Sequence, residues 1–152
     1  MMTQKEYKYT DITEKIIGAS FEVHNFLGNG FTHFLSLIFN GIRECFAFQE
    51  VIYQRALAYE MNKAGLNFNR EIEQDIYYKE LPEPIGTRRA DFVVEGKVLV
   101  EIKAIIELED VHLAQIFNYL RAYQLEVGLL INFGSKSLTF KRLVLSAKSN
   151  NP

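Results

Sequence analysis

The chain reads as one domain of the α+β, or mixed α/β, class. Three observations predict it. Apolar residues recur at helical spacing through the first 64 positions, three strand-like segments separated by turn residues occupy the middle, and an amphipathic helix then leads to a nearly all-apolar run and a last strand.

Each element follows from its residues. Thr10 or Asp11 is placed to cap a first helix, with Glu14 in capping-box position. Ile16, Ile17, Phe21, Val23, His24 and Leu27 give that helix a mixed stripe, and Gly28-Asn29-Gly30 breaks it. From Phe31 the apolar positions Phe34, Leu35, Ile38, Ile42, Cys45 and Phe46 again recur at helical spacing, with Gly41 a weak point. A further helix is predicted from Gln49 to Ala64, ending at Gly65 as its C-cap. Residues 68–79 read as a strand, and Pro82 and Pro84 make the loop after it. Residues 88–94 and 97–103 are two more strands around Glu95-Gly96. A helix over 109–124 turns Leu113, Ile116, Phe117 and Leu120 to the core. The run "EVGLLINF" at 126–133 lacks polar alternation, which predicts a strand buried on both faces, and 138–145 gives the final strand.

Composition narrows the class of function. Of the 152 residues 48% are hydrophobic and 24% charged, the balance of an ordinary soluble globular protein. A formal net charge of −2 supplies no global positive field, so nucleic-acid binding would need a local basic patch. The one cysteine, Cys45, excludes an intramolecular disulfide and a cysteine metal cluster, and fits a reducing, cytoplasmic setting. The polar opening "MMTQKEYKYTDITEK" does not read as a signal peptide, no apolar run is long enough to span a membrane, and the tail "SAKSNNP" reads as frayed.

The informative stretch is "RRADFVVEGKVLVEIKA", residues 88–104, which sets Asp91, Glu101 and Lys103 among apolar strand residues. Burying charge is costly unless it is paired or binds a metal. Side chains alternate along a strand, so Glu101 and Lys103 share a face. Asp91 joins that face only in one register. A strict two-residue turn at Glu95-Gly96 sets Asp91 opposite Val100, whereas a three-residue connection or a bulge sets it opposite Glu101. In the second case two carboxylates and an ammonium converge, a donor set suited to Mg²⁺ or Mn²⁺ and to metal-assisted phosphodiester hydrolysis. The alternative is a solvent-facing Glu and Lys on an edge strand beside a turn-flanking Asp. Spacing alone leaves both open, since short patterns match by chance.

Asp91 followed by Glu101-Ile102-Lys103 resembles the D…E-x-K signature of the PD-(D/E)XK nuclease superfamily. Gln115-Ile116-Phe117-Asn118-Tyr119 resembles the Q-x-x-x-Y motif of its RecB-type branch, and Gln115 and Tyr119 share a helix face. The stretches "YQRALAYEMNKAGL", "GTRRADFVVEGKVLVEIKA", "HLAQIFNYLRA" and "EVGLLINFG" are similar to the small bacterial GxxExxY proteins of the same superfamily. The resemblance implies a restriction-endonuclease-like core of the order αβββαβ, here with an extra N-terminal helix and a helical insertion. It leaves the substrate open. Ala90 stands where the superfamily name has proline.

The naming motif is interrupted. Such proteins are expected to read Gly-Phe-x-Glu-x-x-Tyr, whereas here Gly30-Phe31 is followed by "THFLSLIFNGIRECFAF" and then Gln49-Glu50-Val51-Ile52-Tyr53. Residues 32–48 therefore read as an apolar insertion within a single domain spanning 1–152. Phe31 and Phe48 are equivalent at its edges, so the junction is ambiguous. If the insertion forms its own hinged helix, Glu50 is still delivered by a helix starting near Phe48. If it extends the 49–64 helix backwards, the first helix must move away. Its apolar residues must bury, either on this domain or in a homo-oligomer contact.

The resemblance assigns roles residue by residue. Asp91 and Glu101 would bind Mg²⁺ or Mn²⁺, with the Ile102 carbonyl as a further ligand. Lys103 would orient the attacking water and stabilise developing charge. Glu50 would add a carboxylate at the rim through a water. Gln115 would position the lysine, water or phosphate, supported by Tyr119, which with Arg88 and Arg89 would also meet the substrate. Arg88, Arg89, Lys97 and Arg121 flank the expected site and suit a phosphate backbone, or are ordinary solvated charge. His24, His33 and His112 are scattered and make no zinc pattern, although His112 lies one turn before Gln115. The leading expectation is a metal-dependent nuclease acting on DNA, with RNA second. The alternative is a catalytically inactive nuclease-fold binding or interaction module, for which the inserted apolar helix would offer an oligomer contact. A third is a fold-only protein with surface charges.

Overall fold

The computed structural model describes residues 8–29 and 44–145, with side chains described from Glu50 onward in the second stretch. The elements run α1 (Thr10–Leu27), α2 (Glu44–Lys63), β1 (Phe68–Ile76), β2 (Gly86–Val94), β3 (Val98–Lys103), α3 (Asp110–Ala122), β4 (Val127–Asn132) and β5 (Thr139–Val144). The strands form one sheet in the order β1-β2-β3-β4-β5. β3 and β4 are parallel and every other neighbouring pair is antiparallel. A parallel pair needs a crossover, and α3 supplies it. The expected αβββαβ core is present, flanked by α1 before it and β5 after it.

Two apolar clusters divide the sheet by face. Ile12, Ile16, Val23, Tyr53, Leu57 and Met61 from α1 and α2 pack with Phe92, Val94, Val100, Ile102, Leu129 and Ile131. On the opposite face Ile116 and Leu120 of α3 pack with Ala90, Leu99 and Leu130. All six residues of β4 are buried, as its unbroken apolar text predicts for a strand covered on both sides. Each fully buried aliphatic side chain contributes about 1.5–3 kcal/mol relative to exposure.

Most element boundaries differ from the sequence expectation by one or two residues, and three differences are of more consequence. Tyr9, at a left-handed φ of 60°, takes the N-cap of α1 and offers no side-chain cap, so neither Thr10 nor Asp11 caps the helix. α2 begins at Glu44, five positions before Gln49, so the last part of the inserted segment continues this helix backwards. Residues 30–43, including His33 and most of the segment expected to contact a second copy, lie outside the described residues, as does the side chain of Cys45. β1 stops at Ile76 rather than at residue 79.

α2 is held to the rest of the domain at its middle. Tyr53 is 1% exposed, stacks on Phe133 with ring centroids 4.8 Å apart, and donates its hydroxyl to the Gly28 carbonyl at 2.5 Å. Such a ring pair adds about 0.5–1.5 kcal/mol beyond its buried area. His24 reaches in the same direction, with Nε2 3.1 Å from the Ser135 carbonyl oxygen.

Candidate active site

The β2–β3 connection decides the register. Glu95, Gly96 and Lys97 form a three-residue turn, with the Lys97 N–H donating to the Val94 carbonyl at 3.0 Å. Glu95 and Gly96 both take left-handed conformations, at φ 53° and 64°, which glycine adopts without a Cβ penalty. Phe92 then pairs with Val100, Val93 with Leu99 and Val94 with Val98. One step further, the same register sets Asp91 opposite Glu101.

At that step the regular ladder ends and side chains take over its hydrogen bonds. Asp91 Oδ2 accepts the Ile102 backbone N–H at 2.7 Å, and Glu101 Oε1 accepts the Asp91 backbone N–H at 3.3 Å. β2 is kinked here: Phe92 joins the cluster under α1 and α2, whereas Ala90, two residues back, joins the cluster under α3. Across from Asp91 on β1, Glu71 has a φ of 49° in an otherwise continuous pairing. The register sets the two carboxylates of adjacent strands side by side.

Three carboxyl groups and one ammonium gather at this point. Glu101 is 4% exposed and Asp91 is half-buried. Burial, and then the neighbouring Asp91 charge, push the Glu101 carboxyl up to about 9, against a smaller opposing pull from Lys103. Burial also raises Asp91, opposed by the Ile102 backbone N–H, Lys103 and Gln54. Glu50 reaches the same place from α2. Burial raises its pKa, Asp91 adds to the effect, and Lys103 and the Ala104 backbone N–H oppose it. Asp91 and Glu101 each shift the other's titration, as expected of two acids packed side by side.

This donor set fits a hard divalent cation. It is all oxygen, its two carboxylates repel one another when ionised, and a bound cation would relieve that repulsion. Among the described residues no three His, Cys, Asp or Glu side chains converge on one metal position. The fit is therefore that of a two-carboxylate site, with Glu50 at its rim.

The strand end beyond Lys103 is fastened. Asn132, fully buried, accepts the N–H groups of Ile105 and Gly134 through Oδ1, each at 3.0 Å, and donates to the Ile105 carbonyl at 2.8 Å. The Phe133 N–H donates to the Lys103 carbonyl at 2.8 Å. Position 134 must be glycine because a Cβ there would lie 2.3 Å from the Ile105 nitrogen.

The other expected site residues are placed less directly. Gln115 and Tyr119 lie on one face of α3 and bond each other, Nε2 to hydroxyl at 3.2 Å, both half-buried. Neither has a hydrogen bond to Asp91, Glu101 or Lys103. Arg89 is exposed on β2, and Arg88 is half-buried with its Nε buried and unpartnered. Arg121 bonds Asn118 on α3. Lys97 does not flank the site: it sits in the turn at the opposite end of the hairpin, over the Tyr9 ring at 5.6 Å. His112 is a capping residue, its Nδ1 accepting the Glu109 N–H at 2.9 Å. Sequence reading missed Gln54, which donates to Asp91 Oδ1 at 3.1 Å, and Arg70, which donates to Gln54. The one available signal was that Gln54 lies a helical turn after Glu50, on the same face.

A family model described as the PD-(D/E)XK nuclease superfamily matches residues 42–143, which include every carboxylate and the lysine of this site. The chain belongs to the PD-(D/E)XK nuclease superfamily. Nucleases of this superfamily generally use divalent metal ions. The crystal structure of SSO0001 resembles the chain with a TM-score of 0.53 at 16% identity, a likeness of fold. It is covered over 75% of the present chain, which spans 61% of the length of that structure. None of the curated proteins matches the sequence. No helix among the described residues is long and apolar enough to cross a membrane.

Proposed function

We propose that the protein is a divalent-metal-dependent nuclease that hydrolyses phosphodiester bonds in DNA, working as a single domain of the GxxExxY type. The observation that carries this reading is the meeting of Asp91 and Glu101 at the end of the β2–β3 ladder, with Lys103 beside them. Asp91, Glu101 and the Ile102 carbonyl would hold Mg²⁺ or Mn²⁺. Bound there, the ion supplies Lewis-acid polarisation of the phosphate and makes water a stronger nucleophile at neutral pH. Lys103 orients the attacking water and meets the negative charge that develops on the phosphate. Glu50 accepts a water at the rim. Gln115, hydrogen-bonded to Tyr119, positions the lysine, water or phosphate, and Arg88 and Arg89 meet the phosphate backbone.

A second reading, an inactive nuclease-fold binding module, has one observation in its favour: no three-ligand metal group is present among the described residues. Cleavage of labelled single- and double-stranded DNA with Mn²⁺ separates the two. Wild-type cleavage that falls about 100–1000-fold in Lys103→Ala supports the nuclease. DNA binding without cleavage, equal in both proteins, would leave only the module.

A further inference from the structure

We propose that Gln54 is a positioning residue for the Asp91 carboxylate and that Arg70 fixes the direction of its amide. The inference rests on the metal-site reading above. Gln54 is 5% exposed on α2 and touches the site through its side-chain nitrogen, which donates to Asp91 Oδ1 at 3.1 Å. Its oxygen accepts from the Arg70 guanidinium at 2.9 Å.

A glutamine amide has two orientations that differ by exchange of oxygen and nitrogen. Only one works here. Turned round, the amide would set its oxygen against a carboxylate and its nitrogen against a guanidinium. Arg70 therefore dictates that the donor end faces Asp91, although Arg70 has no hydrogen bond to the carboxylate itself. Its guanidinium is in turn placed over the Phe92 ring, 5.8 Å from the centroid, on the strand neighbour of Asp91. A cation bonded to the amide oxygen also polarises the amide, which strengthens its donation at the other end.

Asp91 Oδ2 is already taken by the Ile102 N–H from β3. With Gln54 on Oδ1, the carboxylate is fixed by one donor from the helix layer and one from the sheet. A planar group held at both oxygens cannot swing, so its remaining lone pairs keep a constant direction. Partners of this kind are what orient metal-binding carboxylates, and their loss costs about 10–100-fold in metal affinity.

The test is Mn²⁺ titration by calorimetry on wild type, Gln54→Met, Arg70→Met and the double variant, with thermal denaturation in EDTA alongside. Gln54→Met should bind Mn²⁺ about 10–100-fold more weakly. Arg70→Met should lose less, several-fold, with a melting temperature near wild type because Arg70 is exposed. The double variant should bind no worse than Gln54→Met, since Arg70 acts only through Gln54. Arg70→Met decides the matter if Gln54→Met does not fold. Unchanged affinity in the folded variants, or losses that simply add in the double variant, overturns the inference alone. A wild type that binds no Mn²⁺ overturns the metal-site reading and the inference with it.

Discussion

At the turn end of the β2–β3 hairpin, Val93, Val94, Val98 and Leu99 are all buried and paired in an unbroken ladder, whereas further along the same two strands Asp91, Glu101 and Lys103 stand where the ladder stops. The turn end obeys every rule of a strand pair: apolar residues on both faces and backbone partners satisfied by backbone. The open end breaks them. Carboxylates take the backbone N–H groups, and two acids are pressed together, Glu101 buried and Asp91 half-buried. The difference teaches which part holds and which part acts. The apolar end fixes the distance between strands, and that fixed distance holds together two acids that would otherwise separate.

The strongest way to break this comparison is at Glu101. Glu101→Gln should reduce metal-dependent cleavage by more than the about 10–100-fold that loss of a ligand's outer partner costs. It should also stabilise the metal-free protein at alkaline pH. The Glu101 carboxyl, ordinarily near 4.5, is pushed up to about 9 in the fold. Its stabilising contribution is therefore fully present below about 4.5 and is lost as pH rises through about 9. Urea unfolding in EDTA from pH 5 to pH 9 should show a decline on the order of a few kcal/mol in the wild type that is smaller in the variant, where only Asp91 and Glu50 remain raised. A flat wild-type profile would count against the buried acid pair.

Leu99→Ala attacks the holding end. Leu99 is fully buried under α3, so the substitution should cost about 2–5 kcal/mol of stability by chemical denaturation. Cleavage measured well below the lowered melting temperature should persist. Loss of activity in a still-folded Leu99→Ala protein would show that the two ends are not separable. Smallest of all, Lys97→Ala at the tip should change stability by no more than about 0.5 kcal/mol and leave cleavage as it was. A weakened salt dependence of DNA binding in that variant would return Lys97 to the substrate path.

Much of this was legible in the sequence because strands and helices write their own periods. The apolar run of β4 announced burial on both faces, and counting residues across Glu95–Lys97 was enough to say which turn would bring Asp91 to Glu101. What stayed hidden was contact without period. Gln54 and Asp91 are joined across layers, and nothing in their spacing marks the bond. Lys97 was misplaced because proximity in sequence to a strand does not say which end of it matters. His112 was ambiguous for a different reason: one imidazole serves as well for a cap as for a ligand, and only the Glu109 N–H distinguishes them. The N-cap of α1 fell to Tyr9 because the backbone turned one residue earlier than the capping text suggested.

Tyr53 acts as a datum pin. It seats α2 against Phe133 and Gly28 one turn after Glu50, so the helix is indexed from its middle and not from its start. Whatever length of chain is spliced in ahead of Glu44, the register of Glu50 and Gln54 with the sheet is reckoned from the pin. For protein engineering this predicts that sequence ahead of Glu44 can be lengthened or exchanged while Glu50 and Gln54 keep their place against the sheet.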